Sequence, residues 1–219
     1  MKNSNIDSNK LFDIKYILNR LSKTRQIFVS EADFQLELAW MIKTIYPSAT
    51  VRLEYCPCFD SNMHIDILVI INNKWIPIEL KYKTKKCEKT VGNEVFNLKN
   101  HGAKDIGCYL YLKDLERIEE FKRNSECFLE GYAIMVTNEM SYTKKPKTDN
   151  CVYNQFSLHD GSKKQEIMDW REGTGNGTKK GHETPIKLAG CYTMEWLMYS
   201  EIDNTSTGVF KVLVNKVVK

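Results

Sequence analysis

Apolar residues recur every three to four positions over "LFDIKYILNRLSK" (11–23) and again over "EADFQLELAWMIKTIY" (31–46), which predicts two amphipathic helices. Ser30 stands as the N-cap of the second, with Glu31 and Asp33 in its first turn and Pro47 setting its end. "TVRLEYC" (50–56) predicts a strand, and two apolar runs then flank Asn72-Asn73 in "HIDILVIINNKWIPIELKYKTKK" (64–86). A helical pattern runs from about Glu94 to Lys122, weakened at Gly102 and Gly107. "FLEGYAIMVTN" (128–138) and "GVFKVLVNKVV" (208–218) predict strands, while 140–185 predicts an irregular loop around one strand, "CVYNQFSL". In "PIKLAGCYTMEWLMYS" (185–200), Tyr192, Trp196 and Tyr199 fall at helical spacing and predict an amphipathic helix packed on the core. The succession of elements predicts an α/β fold in one domain over 11–219, after a disordered tail at 1–10.

The hairpin is where apolar patterning and charge collide. With Asn72-Asn73 as a two-residue turn, opposite residues sum to 145, so Asp66 lies across from Glu79 and His64 across from Lys81. Alternation then puts those four on one face of the sheet. Ile65, Ile67, Val69, Ile71, Ile76, Ile78 and Leu80 fill the other, which predicts the main core. Two carboxylates facing each other on a ladder repel. They call for a cation between them, either Lys81 or a hard divalent ion held by carboxylates, water and phosphate oxygens.

The helix before the hairpin adds a third acid. Phe34, Leu38, Met41, Ile42 and Ile45 define its buried stripe at 100° per residue. Glu31 falls inside that arc, Gln35 lies at its margin, and Asp33 points outward. An inward carboxylate is costly unless it is paired or bound to metal.

Composition narrows the setting. Hydrophobic residues make up 42% and charged residues 27%, which is ordinary for a globular protein, and no apolar run is long enough to span a bilayer. The polar "MKNSNIDSNK" has no signal-peptide core, and seven irregularly spaced cysteines suit reduced thiols, so the expected location is the cytoplasm without membrane attachment. Cys56 and Cys58 form a CxC pair that lacks companion zinc ligands. A net charge of +4 tolerates a polyanionic partner without demanding one. Lysines gather at Lys81–Lys89, at Lys144–Lys147 and at 179–180.

Glu31, Asp66, Glu79 and Lys81, in "SEADFQ", "HIDILV" and "IELKYK", together resemble the motif of the PD-(D/E)xK nuclease superfamily, the restriction-endonuclease-like proteins. The likeness covers roughly residues 30–137 and leaves 138–219 as a C-terminal extension. Within the superfamily, "SEADFQLELAW", "VRLEY", "IELKYKT" and "GAKDIGCYLYLKDLERIE" are similar to a largely uncharacterised prokaryotic group. Ile65 stands where the name-giving proline would be.

The resemblance implies a central mixed sheet flanked by helices in the order α-β-β-β-α-β. It also implies Mg2+- or Mn2+-dependent hydrolysis of phosphodiester bonds in DNA, by an endonuclease. Asp66, Glu79 and the backbone carbonyl of Leu80 would hold the metal, with Glu31 completing the shell. Lys81 would position the attacking water and offset charge on the phosphoryl oxygens. Gln35, His64, Lys83, His101 and Lys104 are the candidates for contacting substrate, and Lys144, Lys145, Lys147, Lys163 and Lys164 for contacting DNA from the long loop. A homodimer and a partner protein that supplies specificity are further expectations. Two alternatives stay open: a nuclease-fold protein that binds nucleic acid or regulates without turnover, and an enzyme directed at RNA.

Overall fold

Residues 11–219 are described by the computed structural model; the expected tail at 1–10 lies outside them. Helix α1 (Ile14–Thr24) is capped by Asp13, whose carboxylate accepts from the Tyr16 N–H. Helix α2 (Glu31–Ile45) starts where its sequence says it should, with Ser30 Oγ accepting from the Asp33 N–H. Six strands form the central mixed sheet: β1 (Thr50–Tyr55), β2 (Ile65–Ile71), β3 (Lys74–Lys83), β6 (Glu130–Thr137), β9 (Trp196–Glu201) and β10 (Val209–Val218). They lie in the order β1-β2-β3-β6-β10-β9, with β3 and β6 parallel and the other neighbours antiparallel. Helix α3 (Lys104–Asn124) makes the crossover between the two parallel strands.

The turn of the β2–β3 hairpin has Asn72 at φ 49° and Asn73 at φ 60°, as a two-residue primed turn requires. Its ladder runs from Ile71↔Lys74 to Ile67↔Ile78, so the register summing to 145 holds. It stops there. Asp66 and Glu79 are not ladder partners, and His64 is exposed beyond the ladder instead of pairing with Lys81.

Both faces of the sheet are cores. Helices α1 and α2 cover one, where Ile67, Val69, Ile76, Ile78 and Leu80 meet Phe34, Leu38 and Ile42. Helix α3 covers the other through Leu112, Leu115 and Ile118, each fully buried, against Leu68, Ala133, Met135 and Leu213. Ile65 belongs to this second core, not to the first as alternation from Ile67 predicts, because β2 changes course at its start. The carboxylate face of the hairpin is therefore roofed by a helix, with Asp66 and Lys81 half-buried beneath it.

Three sequence-based elements differ. Residues 87–98 form a hairpin, β4 (Cys87–Val91) and β5 (Glu94–Leu98), turning at Gly92 with φ 61°, so the helix predicted from Glu94 starts only at Lys104. The expected helix over 185–200 is instead β8 (Ile186–Thr193) followed by β9; Tyr192, Met194 and Trp196 alternate inward, and that period wins over the helical one. "CVYNQFSL" holds a single 3-10 turn at Asn154–Phe156, and the strand pairing with β8 is β7 (Lys163–Met168). A short helix, α4 (Asn176–Lys179), lies between β7 and β8. Among the described residues, no helix is long and apolar enough to cross a membrane, and all seven cysteines are free.

The height of α3 above the sheet is set at Gly131 of β6, where an added Cβ would collide with Ile118 Cγ2 and crowd the Pro77 carbonyl at 3.2 Å. Gly131→Ala is expected to destabilise the fold by about 1–3 kcal/mol, read as a lower midpoint in urea-induced unfolding.

Candidate functional site

The site begins where β2 leaves β3. Beyond Ile67↔Ile78, β2 stays with β1, whose pairing continues to Tyr55↔Ile65, and one edge of β3 loses its partner. Buried backbone N–H groups must be satisfied. Side chains from β2, from α2 and from the loop before α3 take the alternate donors along that edge. Asp66 Oδ2 accepts from the Leu80 N–H at 2.6 Å, Glu31 Oε2 from the Tyr82 N–H at 2.6 Å, and His101 Nδ1 from the Thr84 N–H at 3.0 Å. Glu31 reaches this edge because it opens α2 on the helix's inward side. Gln35, one turn on, donates to the Asp66 carbonyl at 2.7 Å and to Glu54 Oε1 at 2.6 Å, pinning the backbone at the parting of the strands.

Glu79 and Lys81 project from β3 toward α3, which answers with two residues that the sequence reading did not single out. Asp114 bridges a pair of cations: Oδ2 lies 2.8 Å from Lys81 Nζ and Oδ1 lies 3.3 Å from Arg117 Nη1. Arg117 Nη1 also donates to Glu79 Oε1 at 2.8 Å. Lys81 Nζ in turn donates to the Leu80 carbonyl at 2.9 Å. Glu79 and Asp114 are 1% and 2% exposed. The second Glu79 oxygen, Oε2, is buried without a hydrogen-bond partner.

Charge does not balance here. Glu31, Asp66, Glu79 and Asp114 set four negative charges against Lys81 and Arg117, a net −2 when all are ionised. Burial raises the Asp66 pKa to about 6 despite Lys81. Burial and the neighbouring Asp114 push Glu79 well above the usual carboxylate range, against the pull of Arg117. For Lys81, burial favours the neutral amine, but Asp114 and Glu31 outweigh it and the ammonium is held more firmly than usual. The raised Asp66 and Glu79 carboxyls relieve part of that excess by holding protons.

Not every expected residue joins the cluster. His101 is occupied at Thr84, and burial with nearby Lys83 keeps its imidazole below its ordinary pKa. Lys104 bonds the Ser141 carbonyl at 2.7 Å and sits over Tyr153, ten residues from Asp114 and roughly 15 Å along the helix. Lys83 is half-buried at the end of β3, opposite Thr137. His64 stays outside. Of the loop lysines, Lys164 is unsuited to contact DNA, being 5% exposed with Nζ bonded to the Gln155 carbonyl. Lys144, Lys147 and Lys163 are exposed, and Lys145 stands near Asp149.

Among the described residues, no three His, Cys, Asp or Glu side chains gather as a metal-holding group. Asp66, Glu79 and the Leu80 carbonyl offer hard oxygens, the kind Mg2+ takes when water and substrate complete its shell: Asp66 Oδ2 is held at the Leu80 N–H, Glu79 Oε2 has no hydrogen-bond partner, and the Leu80 carbonyl accepts from Lys81. Comparison of the chain with protein-family models, with curated proteins and with solved structures returned no match.

Asp66 holds its proton more tightly in the folded chain than in the unfolded one. Its contribution to stability is thus fully present below about pH 4 and is lost as the pH rises through about 6. Without divalent ions, stability should fall across that window, and Asp66→Asn should flatten the fall by at most about 3 kcal/mol; urea unfolding at a series of pH values checks this.

Proposed function

We propose that the chain is a metal-dependent nuclease of the restriction-endonuclease-like class, hydrolysing phosphodiester bonds in DNA. One observation carries the reading: where β2 leaves β3, the Asp66 carboxylate is held at the Leu80 N–H, Lys81 Nζ donates to the Leu80 carbonyl, and between them in sequence Glu79 is buried with one carboxylate oxygen unpartnered. The order α2, β1, β2, β3, α3, β6 supports it, with β4–β5 inserted before α3.

Asp66, Glu79 and Leu80 O would hold Mg2+ or Mn2+. When bound, the ion supplies Lewis-acid polarisation of a phosphoryl oxygen and a more acidic water. Asp66 must lose its proton to bind metal, which ties the site to pH. Lys81, kept protonated by Asp114 and Glu31, is a donor and a fixed positive charge, not a general base at neutral pH. It steadies negative charge growing on the phosphate oxygens and orients the attacking water. Glu31 acts through Tyr82 by fixing the backbone beside the Leu80 carbonyl.

One feature favours a second reading, a nuclease-fold protein that binds nucleic acid without cutting it: Arg117 already neutralises Glu79 from within.

Supercoiled plasmid incubated with Mg2+ or Mn2+ should be nicked or linearised by the parent, and Lys81→Ala should cut at least about 100-fold more slowly. Equal behaviour of the two proteins sinks the nuclease assignment. Cleavage of RNA but not plasmid would redirect it to RNA. Either metal should also raise the thermal unfolding midpoint of the parent at pH 8 more than at pH 5, by about 2.7 kcal/mol of stability at a hundredfold excess over Kd. Metal binding without cleavage would select the second reading.

A further inference from the structure

Arg117 differs from every other charged group in the cluster. Both of its contacts run through one nitrogen, Nη1, to Glu79 Oε1 and Asp114 Oδ1, so Nη2 and Nε are uncommitted within the cluster. Its side chain is 31% exposed, against 13% for Lys81 and 3% for Asp114. The guanidinium is held from below by two buried acids and open above. Held in this way, it has lost little further freedom to give up on binding, and its fork matches two oxygens of a phosphate.

We propose that Arg117 grips a backbone phosphate of DNA beside the metal position, with Asp114 as the residue that positions it. This rests on the nuclease reading but adds a substrate contact carried by α3. The arrangement gives Glu79 two jobs. Oε1 anchors the arginine, and Oε2, buried and without a hydrogen-bond partner, is left to take the cation. A phosphate oxygen can then meet the bound cation while another meets Nη2. Asp114 ties Lys81 and Arg117 together, so the two positive groups keep one spacing across the reacting phosphate.

The test is fluorescence anisotropy of a labelled DNA duplex, titrated in Ca2+ over a range of NaCl concentrations with the parent, Arg117→Gln and Arg117→Lys. Thermal unfolding of each protein runs alongside, because Arg117→Gln leaves Glu79 buried without its partner. Loss of one phosphate contact should lower the slope of log affinity against log salt by about 0.9 and weaken binding about tenfold in Arg117→Gln. Arg117→Lys keeps the charge, so it should retain the slope and lose only part of the affinity. If the parent binds and both folded variants match it in slope and affinity, the proposal is wrong and the nuclease reading stands. A parent that neither binds nor cuts DNA overturns both.

Discussion

Everything in the site follows from the parting of two strands. While β2 and β3 stay paired, from Ile71↔Lys74 to Ile67↔Ile78, the hairpin is an ordinary piece of sheet with both faces buried. Past that point β2 keeps to β1, and the edge of β3 must find other acceptors for its N–H groups. Those acceptors are side chains: a carboxylate from β2, one from α2, and an imidazole from the segment before α3. Charged groups thus enter the interior as replacements for a missing strand. The backbone fixes where they sit.

Once inside, the acids need positive charge near them, since a buried carboxylate alone is costly. Lys81 comes from the same strand, but it serves Asp114 and the Leu80 carbonyl, and it does not reach all four acids. Arg117 covers Glu79. Helix α3 is thus more than a roof over the second core. It brings one acid and one cation to the middle of the sheet, on the face that its own leucines cover. Breaking any one pair would strand a charge in a dry place, a larger loss than the pair's net contribution to the fold.

Much of this could be read along the chain. The hairpin register, the two-residue turn, the N-cap at Ser30 and the inward set of Glu31 all came from periodicity and turn chemistry, and the folded chain keeps them. Asp114 and Arg117 could not be read in the same way. Three positions apart on a long charged helix, they look like a solvated pair, and only the burial of the facing strands turns them inward. Alternation also misplaced Ile65 and promised an Asp66–Glu79 ladder pair, because a period of two assumes that the strand keeps its course. The hairpin at 87–98 had a signal in Gly92-Asn93 between alternating strands, and 185–200 had one in Tyr192, Met194 and Trp196; helical spacing nearby masked both.

Helix α3 rests at two tight points: Gly107, where a side chain would strike Tyr142, and Ile118, seated over Gly131. They are eleven residues apart, close to three full helical turns, so both face the same way, and Asp114 and Arg117 lie between them. Substitutions within this span can be absorbed one at a time, but a change in its length cannot. A single inserted residue would turn one contact away from its seat by about 100° and carry the two charged groups off the site with it. Length variation in this fold is therefore expected to collect in the segments around 144–150 and 171–185, while the span from Gly107 to Ile118 is counted out residue by residue.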